Sequence, residues 1–121
     1  NLAAARAAAA TKTAPVKEVV IDKAKYPEAA RHIEDAKAAG QPEVLTANRK
    51  LSQVNRQEAL KGTKPEKGKD RDEYPPAIAE EGGRGASVRK IKSGDNRGAG
   101  ASMGAQCRQI KDGEKFIIVC K

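Results

Sequence analysis

Apolar residues are spread thinly along this chain, and their spacing changes several times. Val16, Val19, Val20 and Ile21 form a β-branched run that stops at Asp22, which predicts a short strand. Next, Tyr26, Ala29, Ala30, Ile33 and Ala36 recur at helical intervals, with Arg31, Glu34, Asp35 and Lys37 between them. That period predicts an amphipathic helix, opened by Pro27 at the first-turn position where a missing N–H is harmless, and closed by Gly40. Val44 to Ala47 reads as a second short strand, and Ser52 is expected to cap a helix carrying Val54, Ala59 and Leu60 as far as Gly62. Thr63 to Lys69 is a polar loop, Gly82, Gly83 and Gly85 mark a turn, and Ala86 to Ile91 reads as a strand anchored by Val88 and Ile91. After a turn at Ser93-Gly94, Asp95 is expected to cap a helix through Ala101, Met103 and Ala105 toward Ile110, weakened by Gly98, Gly100 and Gly104. Asp112-Gly113 predicts a hairpin-type turn, and Phe116 to Cys120 a closing strand. This succession describes a small α+β domain without internal repeats.

Residues 2 to 10 are nearly all alanine around Arg6, a composition that favours helix but offers no apolar face to dock. Residues 1–15 are therefore read as an alanine-rich linker or frayed helix and residues 16–121 as the folded domain. A chain of 121 residues supports one core. With only Tyr26, Tyr74 and Phe116 as aromatics, that core must be built from Val, Ile, Leu and Ala, and the composition argues against an aromatic platform for stacking bases. The 24 Lys and Arg against 16 Asp and Glu, a net charge of +8, favour a polyanionic partner through phosphate neutralisation and counterion release. No apolar run approaches the length of a membrane span and no signal peptide opens the chain, so the expectation is a soluble form without a membrane partner. Asn1 in place of Met points to a processed or excised fragment. Cys107 and Cys120 fit one disulfide or two reduced thiols equally well, and their spacing matches no zinc signature.

Two polar clusters change the picture. Asp70-Arg71-Asp72-Glu73 and Asp95-Asn96-Arg97-Gly98 supply carboxylates and an amide, the hard oxygen ligands preferred by a divalent cation such as magnesium. Each cluster also carries an arginine suited to a phosphate, Arg71 and Arg97. Asn96 falls at a predicted helix start, where free N–H groups favour anions. In an extended segment Asp70 and Asp72 face one side and Arg71 and Glu73 the other, so all four cannot reach one centre. Arg84, Arg89 and Lys90 are candidates to line a DNA path. His32, the one histidine, lies on the predicted amphipathic helix outside both clusters, which predicts a packing or hydrogen-bonding role instead of general-base catalysis.

The string Lys69-Asp70-Arg71-Asp72-Glu73-Tyr74-Pro75-Pro76-Ala77, then Glu81-Gly82-Gly83-Arg84-Gly85-Ala86-Ser87-Val88 and Asp95-Asn96-Arg97-Gly98-Ala99-Gly100-Ala101, resembles the NucA/NucB deoxyribonucleases. Tyr26-Pro27-Glu28, His32-Ile33-Glu34-Asp35-Ala36, Asn55-Arg56 and Leu60-Lys61-Gly62 resemble that family in the same order, over roughly residues 16 to 121. The resemblance implies a ββα-metal (His-Me finger-like) core and a metal-dependent, low-specificity endonuclease acting on DNA. Such enzymes are secreted or delivered as toxin modules, and the resemblance implies magnesium, with manganese as the alternative. Related nucleases carry Asp-Arg-Gly-His with a histidine base; here the stretch is Asp70-Arg71-Asp72-Glu73, which implies a carboxylate base, Asp72 or else Glu73. It further implies Asn96 as a metal ligand, Asp70 as a ligand or orienting acid, Gln106 as a further candidate for the metal shell, and Arg71 as a phosphate or transition-state contact. The alternative is a non-catalytic DNA-binding module on the same scaffold. A monomer is expected, with an acidic immunity or inhibitor protein as partner in the toxin case.

Overall fold

The computed structural model of the chain describes residues 15–121, so the alanine-rich helix expected over residues 2–10 lies outside the described residues. In chain order the elements are β1 (Lys17–Ile21), α1 (Pro27–Ala38), β2 (Val44–Thr46), a 3-10 turn (Arg49–Leu51), α2 (Ser52–Leu60), β3 (Lys69–Tyr74), β4 (Ser87–Lys92), α3 (Ser93–Cys107) and β5 (Lys115–Cys120). The class is α+β, as the alternating periods predict.

The strand richest in apolar residues takes the centre of the larger sheet. Strand β5 pairs in parallel with β1, Val19 opposite Ile118, and antiparallel with β2, Leu45 opposite Phe116. Val19, Ile21, Leu45, Phe116 and Ile118 are fully buried, and Ala29, Ala30, Ile33 and Ala36 of α1 join the same core. Strands β3 and β4 form a separate antiparallel hairpin in which Asp72 lies opposite Arg89 and Tyr74 opposite Ser87. Helix α3 begins at the residue after β4 ends, so β3, β4 and α3 follow one another as a ββα succession, with residues 75–86 looping between the two strands.

Several local expectations are corrected. Ser52 begins α2 but makes no capping bond, because the 3-10 turn before it already holds the chain in helical geometry. Val54 of that helix points to solvent. Ser93 and Gly94 are not a turn but the first residues of α3, and α3 stops at Cys107, short of Ile110. Asp95 does not cap its own helix. Its carboxylate accepts the backbone N–H groups of Glu28 and Ala29, at 3.1 and 2.9 Å, and so caps α1 from a neighbouring element. These donors belong to the first turn of α1, where no intrahelical partner exists and where Tyr26 offers no cap. Asp112-Gly113 is a turn, but it joins α3 to β5 and closes no hairpin. Cys107 and Cys120 are both free thiols, and burial pushes both above the ordinary thiol range.

Of the α3 glycines, Gly98 has a packing reason. A Cβ there would lie 2.4 Å from the Tyr26 ring, so the missing side chain is what lets the start of α1 approach α3. That approach brings Asp95 to the end of α1 and sets Asn96 facing β3.

Candidate active-site cleft

Among the described strands β3 pairs with β4 alone. A cleft of about 370 Å³ is lined by Arg71, Asp72 and Glu73 of β3, by Asn96 and Met103 of α3, and by Arg56 of α2. The strand period sorts its side chains as expected: Asp70, Asp72 and Tyr74 engage α3, α1 and the segment after α1, whereas Arg71 and Glu73 turn to the α2 side.

Asp70 ties β3 to the start of α3. Its carboxylate accepts Ser93 Oγ–H at 2.9 Å, Asn96 Nδ2–H at 3.1 Å and Arg97 Nε–H at 3.2 Å. The bonds from Asn96, Ser93 and Arg97 hold its carboxyl below the ordinary aspartate range. With both oxygens so engaged, this carboxylate fixes the start of α3 against β3. Because it can only accept, Asn96 must present its Nδ2 to Asp70, leaving Oδ1 as the atom free to serve the cleft.

Asp72 is the second fixed carboxylate. His32 Nδ1 lies 2.7 Å from Asp72 Oδ2, and His32 Nε2 lies 2.9 Å from Ser87 Oγ. The imidazole is fully buried, while Asp72 keeps a fifth of its side chain exposed. His32 thus has the hydrogen-bonding role expected of it, but it is in direct contact with the β3 cluster and not remote from it. Its position on the buried face of α1, in phase with Ala29, Ile33 and Ala36, is the signal: a fully buried imidazole requires partners for both nitrogens.

Glu73 differs from both aspartates. Among the described residues its Oε1 is buried without a hydrogen-bond partner, and Arg56 Nε stands 3.9 Å from Oε2. Burial raises its carboxyl above the ordinary glutamate range, Arg56 and Arg71 opposing the shift and the charge of Asp72 adding to it. Arg71 donates to the Thr63 carbonyl at 2.9 Å. A shallower groove lined by Gln53, Arg56, Gln57, Lys61 and Arg71 continues from the cleft along α2.

The remaining candidates fall elsewhere. Gln106 is not brought to the cleft: its Oε1 accepts the Val20 N–H at 2.7 Å and its Nε2 donates to the Val20 carbonyl at 2.8 Å, so the amide is spent fastening α3 to β1. Arg89 pairs with Asp35 of α1 at 2.9 Å and Lys90 lies 3.6 Å from Glu66, both outside the cleft lining. Arg84 is exposed near Glu58 of α2, and Arg97 is three-quarters exposed beside Asp70.

The donor chemistry suits a hard divalent cation. Among the described residues no three His, Cys, Asp or Glu side chains converge as a cage. The cleft instead offers Asn96 Oδ1 and the Glu73 carboxylate, with the Asp72 carboxylate beside them. A sparse set of oxygen ligands is the kind magnesium takes, since it keeps several of its waters.

The family model described as deoxyribonuclease NucA/NucB matches residues 23–119, which include every element from α1 to α3. A curated relative, the DNA-entry nuclease of Bacillus subtilis (strain 168), is 45% identical over 94 residues. The alignment covers 78% of this chain and 64% of the relative, so the chain spans less than two thirds of that protein's length.

Proposed function

Since the chain belongs to the NucA/NucB deoxyribonuclease family, we propose that it is a metal-dependent, low-specificity endonuclease that hydrolyses DNA phosphodiester bonds. The observation that carries this reading is the pairing, across one cleft, of an Asn96 amide aimed by Asp70 with the Asp72 and Glu73 carboxylates of β3. Asn96 Oδ1 and Glu73 would hold the cation, with Asp70 orienting the amide. Magnesium or manganese, when bound, supplies charge stabilisation to the phosphoryl oxygens and to the leaving 3′-oxygen.

The chain's own residues do the rest. Asp72 takes a proton from the attacking water through the oxygen that His32 does not occupy; the new P–O bond forms as the bond to the 3′-oxygen breaks. Arg71 and Arg56, which line both the cleft and the groove along α2, hold the phosphate by charge, and the groove receives the neighbouring backbone. Contacts of this kind read phosphates and not base edges, which makes cutting insensitive to sequence.

The same reading puts the enzyme outside the cell that makes it, secreted or delivered as a toxin module, with an acidic immunity protein as partner in the second case. It is read as a monomer: among the described residues the large exposed apolar side chains are Val16, Val44 and Val54, which lie before β1, on β2 and on α2. Among the described residues no helix is long and apolar enough to cross a membrane.

Nicking of supercoiled plasmid at matched salt tests the proposal. Cleavage with magnesium or manganese, abolished by EDTA and lost in Asp72→Ala and Asn96→Ala, is the expected result. DNA binding that survives without cleavage in any divalent metal would overturn the enzyme and leave a binding module.

A further inference from the structure

We propose that His32 is a positioning residue for the base: it holds one oxygen of Asp72 so that the other faces the reacting water, and Ser87 fixes the imidazole in the tautomer this requires. The inference rests on Asp72 being the base and goes beyond it, because it assigns a role to two residues that substrate never touches.

The geometry permits one arrangement of protons about the neutral ring. A carboxylate only accepts, so the proton between His32 and Asp72 sits on Nδ1. Nε2 then carries a lone pair, and the Ser87 hydroxyl, 2.9 Å away, donates to it. With both nitrogens engaged and no exposed surface, the imidazole has no access to water or DNA and cannot itself take the proton. It also cannot rotate without breaking both bonds. The three partners sit on three different elements, His32 on α1, Asp72 on β3 and Ser87 on β4, so the bonds lock the hairpin onto the helix at the catalytic carboxylate. A base held this way keeps its free oxygen aimed without reorganisation during the reaction. Misplacement of a reacting group by about 1 Å costs on the order of a hundredfold in rate.

The test compares His32→Leu, which removes both bonds, with His32→Asn, whose amide nitrogen falls near Nδ1 and keeps the donor to Asp72. Steady-state nicking of the folded variants should show kcat lowered by about 10- to 100-fold in His32→Leu with KM and DNA affinity within about twofold of wild type, and largely recovered in His32→Asn. In an Asp72→Asn background His32→Leu should cost nothing further, because its effect runs through the same carboxylate. Nitrogen-15 NMR of the imidazole provides a readout that needs no destabilised variant: wild type should show protonated Nδ1 with unprotonated Nε2, and Ser87→Ala should erode that preference and lower kcat.

Equal activity in wild type and His32→Leu, or an additive loss in the Asp72→Asn background, would overturn the positioning role. A ring protonated on Nε2 alone would do the same. Full activity in Asp72→Asn would instead remove the base assignment on which the inference stands, so the two failures are distinguishable.

Discussion

Glu73→Gln should stabilise the metal-free domain at neutral pH, which is an unusual direction for changing a buried polar residue. The native carboxylate keeps one oxygen buried and unpartnered, and its nearest cation, Arg56, is 3.9 Å away and mostly exposed. Leaving a buried polar oxygen unpaired costs about 1–3 kcal/mol, more when it is charged, and the distant arginine returns part of that. A neutral amide of the same shape escapes the charge penalty, so the expected gain is about 1 kcal/mol, or roughly 3–6 °C in Tm for a domain of this size.

The sign with pH follows from the raised carboxyl. Below about pH 4 Glu73 is protonated in both folded and unfolded chains, and no penalty exists. As pH rises, the unfolded chain releases its proton first, the folded state is left holding more protons, and stability falls until the folded carboxyl has also ionised. Glutamine does not titrate, so the Tm difference between the variant and wild type should be near zero at low pH and open upward toward pH 7. Melting curves by circular dichroism in EDTA from pH 4 to 8 measure it. A constant offset at every pH, or a variant less stable than wild type at pH 7, would refute the reasoning. Magnesium should then reverse the order: a ligand at a hundredfold excess over its Kd adds about 2.7 kcal/mol to the protein that binds it, and the variant should lose most of that increment.

Other expectations follow from single side chains. Asp95→Ala removes the cap that α3 places on α1 and should cost about 1 kcal/mol in denaturant melts, although Asp95 lies at the end of a different helix from the one it stabilises. Gly98→Ala adds a good helix former to α3 yet should destabilise by about 1–3 kcal/mol, because the new methyl meets the Tyr26 ring; a gain in stability would show that α1 and α3 do not approach so closely. Arg56→Ala combined with Lys61→Ala should weaken DNA binding and reduce the slope of log K against log salt by about one for each phosphate no longer neutralised, leaving metal-dependent Tm shifts in place.

The sequence pattern predicts the elements better than it predicts their partners. Helix α1 and strands β1 and β5 follow from local period alone, and β3 places Asp70 and Asp72 opposite Arg71 and Glu73 as an extended strand must. What local period does not contain is the identity of a polar side chain's partner across the fold. Asp95 has the composition of a self-cap and serves another helix; Gln106 has the composition of a metal ligand, yet its amide pairs with the β1 backbone. His32 is read correctly as a hydrogen-bonding residue, but its bond with Asp72 spans 40 residues of sequence, and only the packing of α1 on the hairpin creates it. Ser87 carries no signal at all until the imidazole is seen beside it.

The proposed carboxylate base would also account for how charge is divided along β3. An imidazole base begins neutral and tolerates phosphate-binding cations around it only poorly once protonated; a carboxylate begins charged, and a cation bonded to it would compete with the proton it must accept. The strand period resolves this conflict. Arg71 is tied to the Thr63 carbonyl and Arg56 stands by Glu73, both on the α2 side, whereas Asp72 is met from the other side by a donor on a buried ring. The proposed phosphate-holding arginines and the proposed base thus share one cleft without pairing to each other. Replacing Arg71 or Arg56 should therefore weaken phosphate binding without disturbing the bond between His32 and Asp72.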